Sequence, residues 1–204
     1  ATKTDPSLGA KGVSMFWVDL SLRGVSRGKN LKKIGNKAQD TAELFFDDVR
    51  VPAANLVGEL NQGWALLMDG LAQERLVVAV RSIVLAEAAI DQTIEYTKQR
   101  KTFGQTVFDF QNTQFKLAEM TAEVEAGRPF MDRCIELHTK GECSMYLAAK
   151  AKLWTTELAD RVLDDCLQLH GGYGYVWEFP IARAWADPRV HRIYAGTNEV
   201  MKYI

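Results

Sequence analysis

The strongest constraint on the fold is a change of hydrophobic period near Asn61, after which apolar residues recur every three or four positions. This spacing is typical of amphipathic helices, which must bury one face against other elements. The predicted helices span residues 61–100, 111–139 and 144–170, followed by a fourth that begins near Thr197. Gly141 and Gly171 follow the second and third helices as stop signals, and Pro129 is expected to kink the second. The sequence therefore predicts a carboxy-terminal four-helix up-down bundle.

Residues 1–57 have the pattern of short strands instead. Aromatic and β-branched runs at residues 13–20 and 42–49 are separated by glycine and charged turns. Two strands alone leave their faces and edges uncovered, so we expect the rest of the sheet upstream of Ala1 and interpret the chain as a fragment. The predicted fold class is mainly α, with the end of a β-domain at residues 1–57 and the helical bundle domain at residues 58–204.

Charge and cysteine content argue against several classes of protein. The 25 basic and 26 acidic residues give a net charge of -1, which disfavours nucleic acid as a partner. No stretch reaches the roughly 20 apolar residues of a membrane-spanning helix. Three cysteines without a paired spacing favour a reducing compartment, either a bacterial cytoplasm or the mitochondrial matrix, and no metal site is expected.

Two short patterns have plain structural explanations. Ser26 lies in a Gly-x-Ser-x-Gly pattern, but a strand is expected where a nucleophile elbow requires a helix, so this serine is not predicted to be catalytic. Cys166 and His170 are one helical turn apart and could share a metal, yet no third ligand has a suitable spacing. We interpret both, and likewise His138 and His191, as core or helix-end residues.

Glu74 interrupts the apolar stripe of the first helix, in heptad register with Leu67, Leu71 and Val78. Burial of an ionised carboxylate is costly, so a buried glutamate takes up a proton readily and can act as a general base. The alternative is that Glu74 lies in a helical groove and pairs with an arginine. The sequence position alone leaves both interpretations open.

The third helix ends in a glycine-rich segment, His170–Tyr175, with three glycines in four positions. A helix stop explains one or two of these glycines. The others permit close approach of a ligand, and we expect backbone amides at the helix end to face a phosphate. No Gly-x-Gly-x-x-Gly motif or P-loop occurs, so a nucleotide would not be held in the Rossmann manner.

Three segments, taken in order, resemble the acyl-CoA dehydrogenase family. They are Gln99–Gly104, Gln168–Gly174 and Arg192–Glu199, and Glu43–Pro52 precedes them with a fourth match. The resemblance covers essentially the whole chain, from the late strands of the family's middle β-domain through its carboxy-terminal bundle. It implies a homotetramer, built as a dimer of dimers, with FAD bound between subunits.

The resemblance also implies which residues bind FAD. Arg100 and Phe103 match residues that contact the pyrophosphate region across a subunit boundary, and Gln111 matches a further FAD-contacting glutamine. The segment that holds the ADP part from the partner subunit is matched by Gln168, Leu169, His170, Gly171 and Gly172. The stretch that binds the flavin nucleotide from the same subunit is matched by Thr197, Asn198 and Glu199.

The position of the catalytic base follows from a departure from the common family pattern. Many members place a glutamate directly after a tyrosine, but here Ala195 follows Tyr194. A subset similar to isovaleryl-CoA and long-chain acyl-CoA dehydrogenases carries the glutamate on the first bundle helix, in a motif that matches at Glu74, Arg75 and Leu76. Glu74 is therefore predicted to be the base. The substrate site is predicted to be lined by Arg75, Tyr194, Ala195 and Gly196.

The implied reaction is the α,β-dehydrogenation of an acyl-CoA to a trans-2-enoyl-CoA. Glu74 would remove the pro-R α-proton while the β-hydrogen leaves as a hydride to the flavin N5, and an electron-transfer flavoprotein would accept the electrons. The nearest rivals are an acyl-CoA oxidase and a flavin monooxygenase on the same fold, in which reduced flavin reacts with oxygen. A helical scaffold that has lost its chemistry is the alternative of another class.

Overall fold

A computed structural model describes all 204 residues of the chain, which form two compact units. One unit comprises residues 1–33 and 37–71, and the other comprises residues 34–36 and 72–204. The mainly helical fold class is confirmed, because long helices occupy most of the chain after residue 62. None of these helices combines the length and the apolar character that a bilayer crossing requires.

Short antiparallel strands make up the ordered part of the first unit. They are β1 (Thr2–Lys3), β2 (Val13–Phe16), β3 (Val25–Arg27), β4 (Leu44–Phe46) and β5 (Leu56–Val57). Strand β2 lies between β1 and β5, with Met15 opposite Val57, and β3 pairs with β4 in a separate ladder. Ser26 lies within β3, opposite Phe45, and not at a strand-turn-helix elbow.

Five helices and one small hairpin follow. They are α1 (Gly63–Gln99), the strands β6 (Lys101–Thr102) and β7 (Gln105–Thr106), α2 (Gln111–Thr139), α3 (Met145–His170), α4 (Pro180–Ala186) and α5 (Asn198–Tyr203). The predicted helix limits are confirmed to within two residues, and α2 continues through Pro129. The sequence did not predict α4, whose seven residues are too few to establish a period. The strand-to-helix change lies between Val57 and Gly63, and the assignment of the two parts to separate domains stays a prediction.

The helix ends are set by the residues that the sequence pointed to. Ser144 caps α3 by accepting a hydrogen bond from the Leu147 N–H, and Thr197 caps α5 by accepting one from the Val200 N–H. Gly141 follows α2 with a φ of 73°, a left-handed conformation that glycine adopts without strain. These caps fix where α3 and α5 begin.

The core of the second unit lies between α1, α2 and α3 and contains many small side chains. Fully buried alanines on α1 and α3 are Ala79, Ala86, Ala148 and Ala151. Buried hydroxyls bond to carbonyls of their own helix four residues earlier, as Thr93 does with Ala89 and Thr155 with Ala151. Small apolar and self-satisfied polar side chains therefore make up much of this core.

The predicted apolar stripe of α1 is correct at Val78, which is buried, but wrong at Trp64 and Leu67, which are exposed. The buried face also contains Leu76 and Ala79. A strict heptad series drifts by roughly 20° per repeat on a straight helix. In addition, much of the buried face of α1 consists of alanine, serine and threonine, which a pattern of large apolar residues does not include.

Two neighbouring positions on α2 test this core. Met131 is 1% exposed and Ile135, one turn further, is 40% exposed. Met131→Ala should lower the free energy of unfolding by about 2–5 kcal/mol, because it leaves a cavity among close-packed helices. Ile135→Ala should cause a markedly smaller loss. Urea unfolding followed by circular dichroism measures both, and equal losses would contradict the described packing.

Candidate active site

The hairpin after α1 positions the Arg-Lys-x-Phe-Gly segment. Arg100 directly follows the helix, and its carbonyl accepts a hydrogen bond of 2.7 Å from the Val107 N–H, which closes the hairpin at its base. At the tip, Phe103 and Gly104 have φ values of 50° and 83°, as a tight two-residue turn requires. The Phe103 ring is consequently 93% exposed and points away from the core.

A cavity of about 760 Å³ lies between this hairpin and the end of α3. We call it the glycine-turn cavity, and its lining includes Tyr96, Arg100, Gln168, Leu169, His170, Gly171, Gly172, Tyr173 and Phe179. Six residues predicted to bind a cofactor are thus brought together: Arg100 and residues 168–172. Phe103 and Gln111 are exposed but do not line the cavity.

The chemistry of the cavity suits an anion with an attached planar group. The Arg100 guanidinium lies over the Tyr173 ring at 5.4 Å, which orients the cation at the cavity wall. A Cβ atom built on Gly171 or Gly172 would meet nothing within 4 Å, so these glycines leave open space for a ligand. The Gly171 N–H bonds to the Gln168 carbonyl, so this amide is not free to face a phosphate, and the expectation for the other amides of the segment stays a prediction. Arg100 is the cation of the cavity lining, and Glu178 is its carboxylate.

His170 supports the cavity from behind and has no metal-ligand geometry. Its ring stacks on Tyr96 at 4.2 Å, and its Nδ1 lies 2.8 Å from the Cys166 carbonyl oxygen. Burial lowers the pKa of His170 and raises that of Cys166 to about 11, which favours the neutral form of both groups. Both side chains are buried, and His170 also lines the cavity. No three His, Cys, Asp or Glu side chains form a group that could hold a metal ion.

The second part of the site is the turn formed by Tyr194, Ala195 and Gly196, which we call the 194–196 turn. Ala195 and Gly196 both have positive φ, at 54° and 90°. The first value is unfavourable for a residue with a Cβ, and at Gly196 a Cβ would lie 2.7 Å from the Met201 Cε. The turn therefore holds a strained backbone conformation that needs support from its surroundings.

Two buried cations supply that support. Arg75 on α1 donates from Nε to the Ala195 carbonyl at 3.4 Å, and its Nη1 is buried without any partner. Lys152 on α3 is fully buried and donates from Nζ to the Gly196 carbonyl at 2.7 Å. Burial, followed by the nearby charge of Arg75, lowers the pKa of Lys152 from its ordinary 10.5 to about 8.

Behind Lys152, a polar network joins α3 to the chain around the turn. Lys152 also donates to the Asn198 Oδ1 at 2.8 Å, and the Asn198 amide nitrogen donates to Glu157 at 2.8 Å. Glu157 in turn forms an ion pair of 2.9 Å with Arg192. The Asn198 side chain is 1% exposed, and its amide oxygen and nitrogen both form hydrogen bonds within the chain. The side chain of Glu199 is exposed.

A second buried contact lies beside the turn. The His191 ring stacks on Tyr194 at 5.5 Å, and its Nδ1 is 2.9 Å from the Ser82 Oγ. Because the Ser82 hydroxyl also donates to the Val78 carbonyl at 2.8 Å, we assign the Nδ1 proton as the donor to Ser82. Burial lowers the pKa of His191 from 6.5 to about 4, so the ring is neutral at pH 7.

Glu74 is exposed, contrary to the expectation that it shares the buried stripe of α1. The buried face passes through the next two residues, Arg75 and Leu76, so Glu74 lies to one side of it. It shares its own face with Val77 and Val84, which are 52% and 44% exposed. The carboxylate is thus adjacent in sequence to the arginine that contacts the turn, on an exposed helix face rich in apolar side chains.

These residues lie in a segment that matches a known protein family. Residues 61–204 match the profile of the acyl-CoA dehydrogenase C-terminal domain. The chain belongs to the acyl-CoA dehydrogenase family. The long-chain specific mitochondrial acyl-CoA dehydrogenase of Sus scrofa is 50% identical over 193 residues, which are 95% of this chain and 45% of that protein. The family resemblance inferred from the motifs is confirmed.

Solved structures of the acyl-CoA dehydrogenase family agree with the fold. The enzyme from Geobacillus kaustophilus superposes with a TM-score of 0.95 at 49% identity, covering 98% of this chain and 53% of that one. An acyl-CoA dehydrogenase from Bacillus anthracis, complexed with FAD, superposes with a TM-score of 0.87 at 30% identity, covering 93% and 36%. The chain spans about half the length of the curated relatives it matches.

The family motifs located two clusters, but they did not reveal how the 194–196 turn is held. Lys152 and Glu157 lie outside all three motifs, and nothing in the motifs pairs Ser82 with His191. The position of Lys152 in the sequence does indicate burial, since it is four residues from Ala148 and seven from Ala159 on the buried face of α3. A lysine at such a position must find buried acceptors.

The lowered pKa of His191 predicts sensitivity to acid. Between pH 6.5 and about 4 this histidine takes up a proton in the unfolded chain but not in the folded one. The unfolded state then binds more protons, so stability should fall as the pH drops through this window. His191→Gln should show a shallower fall of the thermal midpoint between pH 6.5 and 4. Ser82→Ala, which leaves the histidine buried, should retain the wild-type slope, and identical slopes for wild type and His191→Gln would refute the assignment.

Proposed function

We propose that this chain forms the carboxy-terminal part of an FAD-dependent acyl-CoA dehydrogenase, with Glu74 as the base that removes the α-proton of an acyl thioester. The proposal rests above all on the contact between Arg75 and the 194–196 turn. That contact connects the helix that carries Glu74 to the turn where many family members carry their glutamate. Ala195 has no acidic group, so Glu74 is the carboxylate that the family pattern and this geometry favour together.

The glycine-turn cavity is the proposed site for the diphosphate and adenosine part of FAD. Arg100 offers a guanidinium, which pairs well with phosphate oxygens, and Gly171 and Gly172 leave room for close approach. The exposed side chains of Phe103 and Gln111 would reach the cofactor from outside the cavity. Thr197 and Glu199 would contribute at the start of α5, whereas the buried Asn198 side chain would act through the turn rather than by touching FAD.

In the proposed reaction, each residue has a separate task. Arg75 and the backbone of the 194–196 turn orient the thioester, because donors placed around its oxygen acidify the neighbouring α-carbon. Glu74 then takes the α-proton on its carboxylate. When bound, FAD supplies the acceptor for the hydride from the β-carbon. Val77 and Val84, which follow Glu74 by about one and three turns of α1 and are both exposed, offer apolar contact to an acyl chain and help to exclude water.

The proposed partners are those of the family. An acyl-CoA would be the substrate, an electron-transfer flavoprotein would reoxidise the flavin, and the protein would assemble as a homotetramer, with FAD between subunits. The proposed compartment is the cytoplasm of a bacterium or the mitochondrial matrix. An acyl-CoA oxidase, a flavin monooxygenase and a helical scaffold remain the rival functions, and the reoxidation of reduced flavin by air distinguishes the first two from a dehydrogenase.

Replacement of the base tests the proposed chemistry directly. In the full-length protein, Glu74→Gln should retain FAD but slow flavin bleaching by acyl-CoA by about 100-fold or more, because no group then accepts the α-proton. Anaerobic titration with saturated acyl-CoA thioesters of increasing chain length measures this. Glu95→Gln, an exposed carboxylate on the same helix, is the matched control and should bleach normally. Normal bleaching by Glu74→Gln would remove Glu74 as the base.

Replacement of the cavity cation tests the cofactor site. Arg100→Ala should weaken FAD binding by roughly 10- to 100-fold, the expected effect of losing a hydrogen bond to a charged group. Lys101→Ala is a suitable control, since Lys101 is the adjacent cation but does not line the cavity. FAD content after gel filtration, read from the flavin absorbance, distinguishes the two. Equal FAD content in both variants would argue against the assigned cavity.

A further inference from the structure

The burial of Lys152 is not explained by a gain in the stability of the fold. Its side chain is fully inaccessible to solvent, although a lysine carries a strongly hydrated charge. Apolar residues of similar volume usually stabilise such a position at least as well as a buried charge does. A lysine here is therefore unfavourable for folding by itself, which directs attention to what its ammonium group holds.

The ammonium group is aimed at the 194–196 turn. It donates to the carbonyl of Gly196, and Arg75 donates to the preceding carbonyl, that of Ala195. Two successive carbonyls thus each face a buried cation, one from α3 and one from α1. With both peptide oxygens directed at the cations, the positive φ of Ala195 is held against its intrinsic strain.

We propose that Lys152 is a positioning residue for the dehydrogenation reaction: by holding the Gly196 carbonyl, it fixes the 194–196 turn so that its backbone and Arg75 meet the acyl thioester in one geometry. The inference rests on the proposed function of this site. Lys152 itself touches neither substrate nor cofactor in this scheme. It acts through the turn, and the Asn198, Glu157 and Arg192 network anchors it from the other side.

The charges around Lys152 act on its ammonium group in opposite directions. Arg75 and Arg192 repel the ammonium, while Glu157 and Glu199 attract it, and burial lowers its pKa to about 8. Between about pH 8 and 10.5 the unfolded chain keeps this proton and the folded chain releases it. The wild type should therefore gain stability with rising pH in this window relative to a variant that has no lysine at position 152.

The test uses Lys152→Met in the full-length flavoprotein, with saturated acyl-CoA thioesters as probes. Methionine fills the space but cannot donate to Gly196. The variant should retain FAD, yet its limiting rate of flavin reduction at saturating acyl-CoA should fall at least about tenfold, since small misplacements of reacting groups have effects of this size or larger. Amide hydrogen exchange in residues 190–200 should quicken at least about tenfold, while exchange in α3 stays unchanged.

A core variant separates positioning from general loss of stability. Leu158 lies on the same helix as Lys152, is fully buried and takes part in none of the hydrogen bonds described for the turn. The control variant is Leu158→Ala. It should lower the thermal midpoint and yet reduce flavin at the wild-type limiting rate. If Lys152→Met fails to fold, Lys152→Gln, whose amide can still donate to one of the two acceptors, should show the same two changes to a smaller extent.

The outcomes separate this inference from the proposed function. Wild-type reduction kinetics in Lys152→Met would overturn the positioning role, even if exchange at the turn quickens. Unchanged exchange at the turn would overturn the proposed support, whatever the kinetics. A wild-type protein that binds FAD but is bleached by no acyl-CoA would overturn the proposed function itself, and the exchange data would then report only on how the turn is held.

Discussion

The site depends on two buried cations, Arg75 on α1 and Lys152 on α3, that donate to successive carbonyls of one turn. Both side chains are enclosed by the core, so they reach the turn from inside the fold and not through solvent. The positions of α1 and α3 in the core therefore determine the geometry of the backbone carbonyls at the proposed substrate site.

The sequence predicted the helices well because long amphipathic periods are strong local signals. It failed where the relevant information is not local. The buried face of α1 could not be read correctly from large apolar residues, since Ser82, Thr93 and Thr97 occupy core positions and satisfy their hydroxyls on their own helix or on His191. The hydrogen bonds of the turn involve residues more than 40 positions apart, and no periodicity encodes such contacts.

For the site itself, the motifs predicted the two clusters but not their supports. Arg100 meets the glycine-rich end of α3 as expected, while the Gly171 amide, which was expected to face a phosphate, bonds to the Gln168 carbonyl. The argument applied to Glu74, that a charged residue in a core register has a special role, was correct in form but misplaced. Glu74 is exposed, and Arg75 and Lys152 are the long charged side chains that the core encloses.

Glu74 and Arg75 are sequence neighbours with opposite surroundings, and this contrast bears on how the proposed enzyme would work. Arg75 is fixed by the fold before any ligand arrives, because it is buried and already contacts the turn. Glu74 stands on an exposed face of α1, one turn before Val77. An acyl chain laid over that valine would exclude water from the carboxylate at the moment of binding. Orientation would then be built into the bundle in advance, whereas the exclusion of water would depend on the substrate being present.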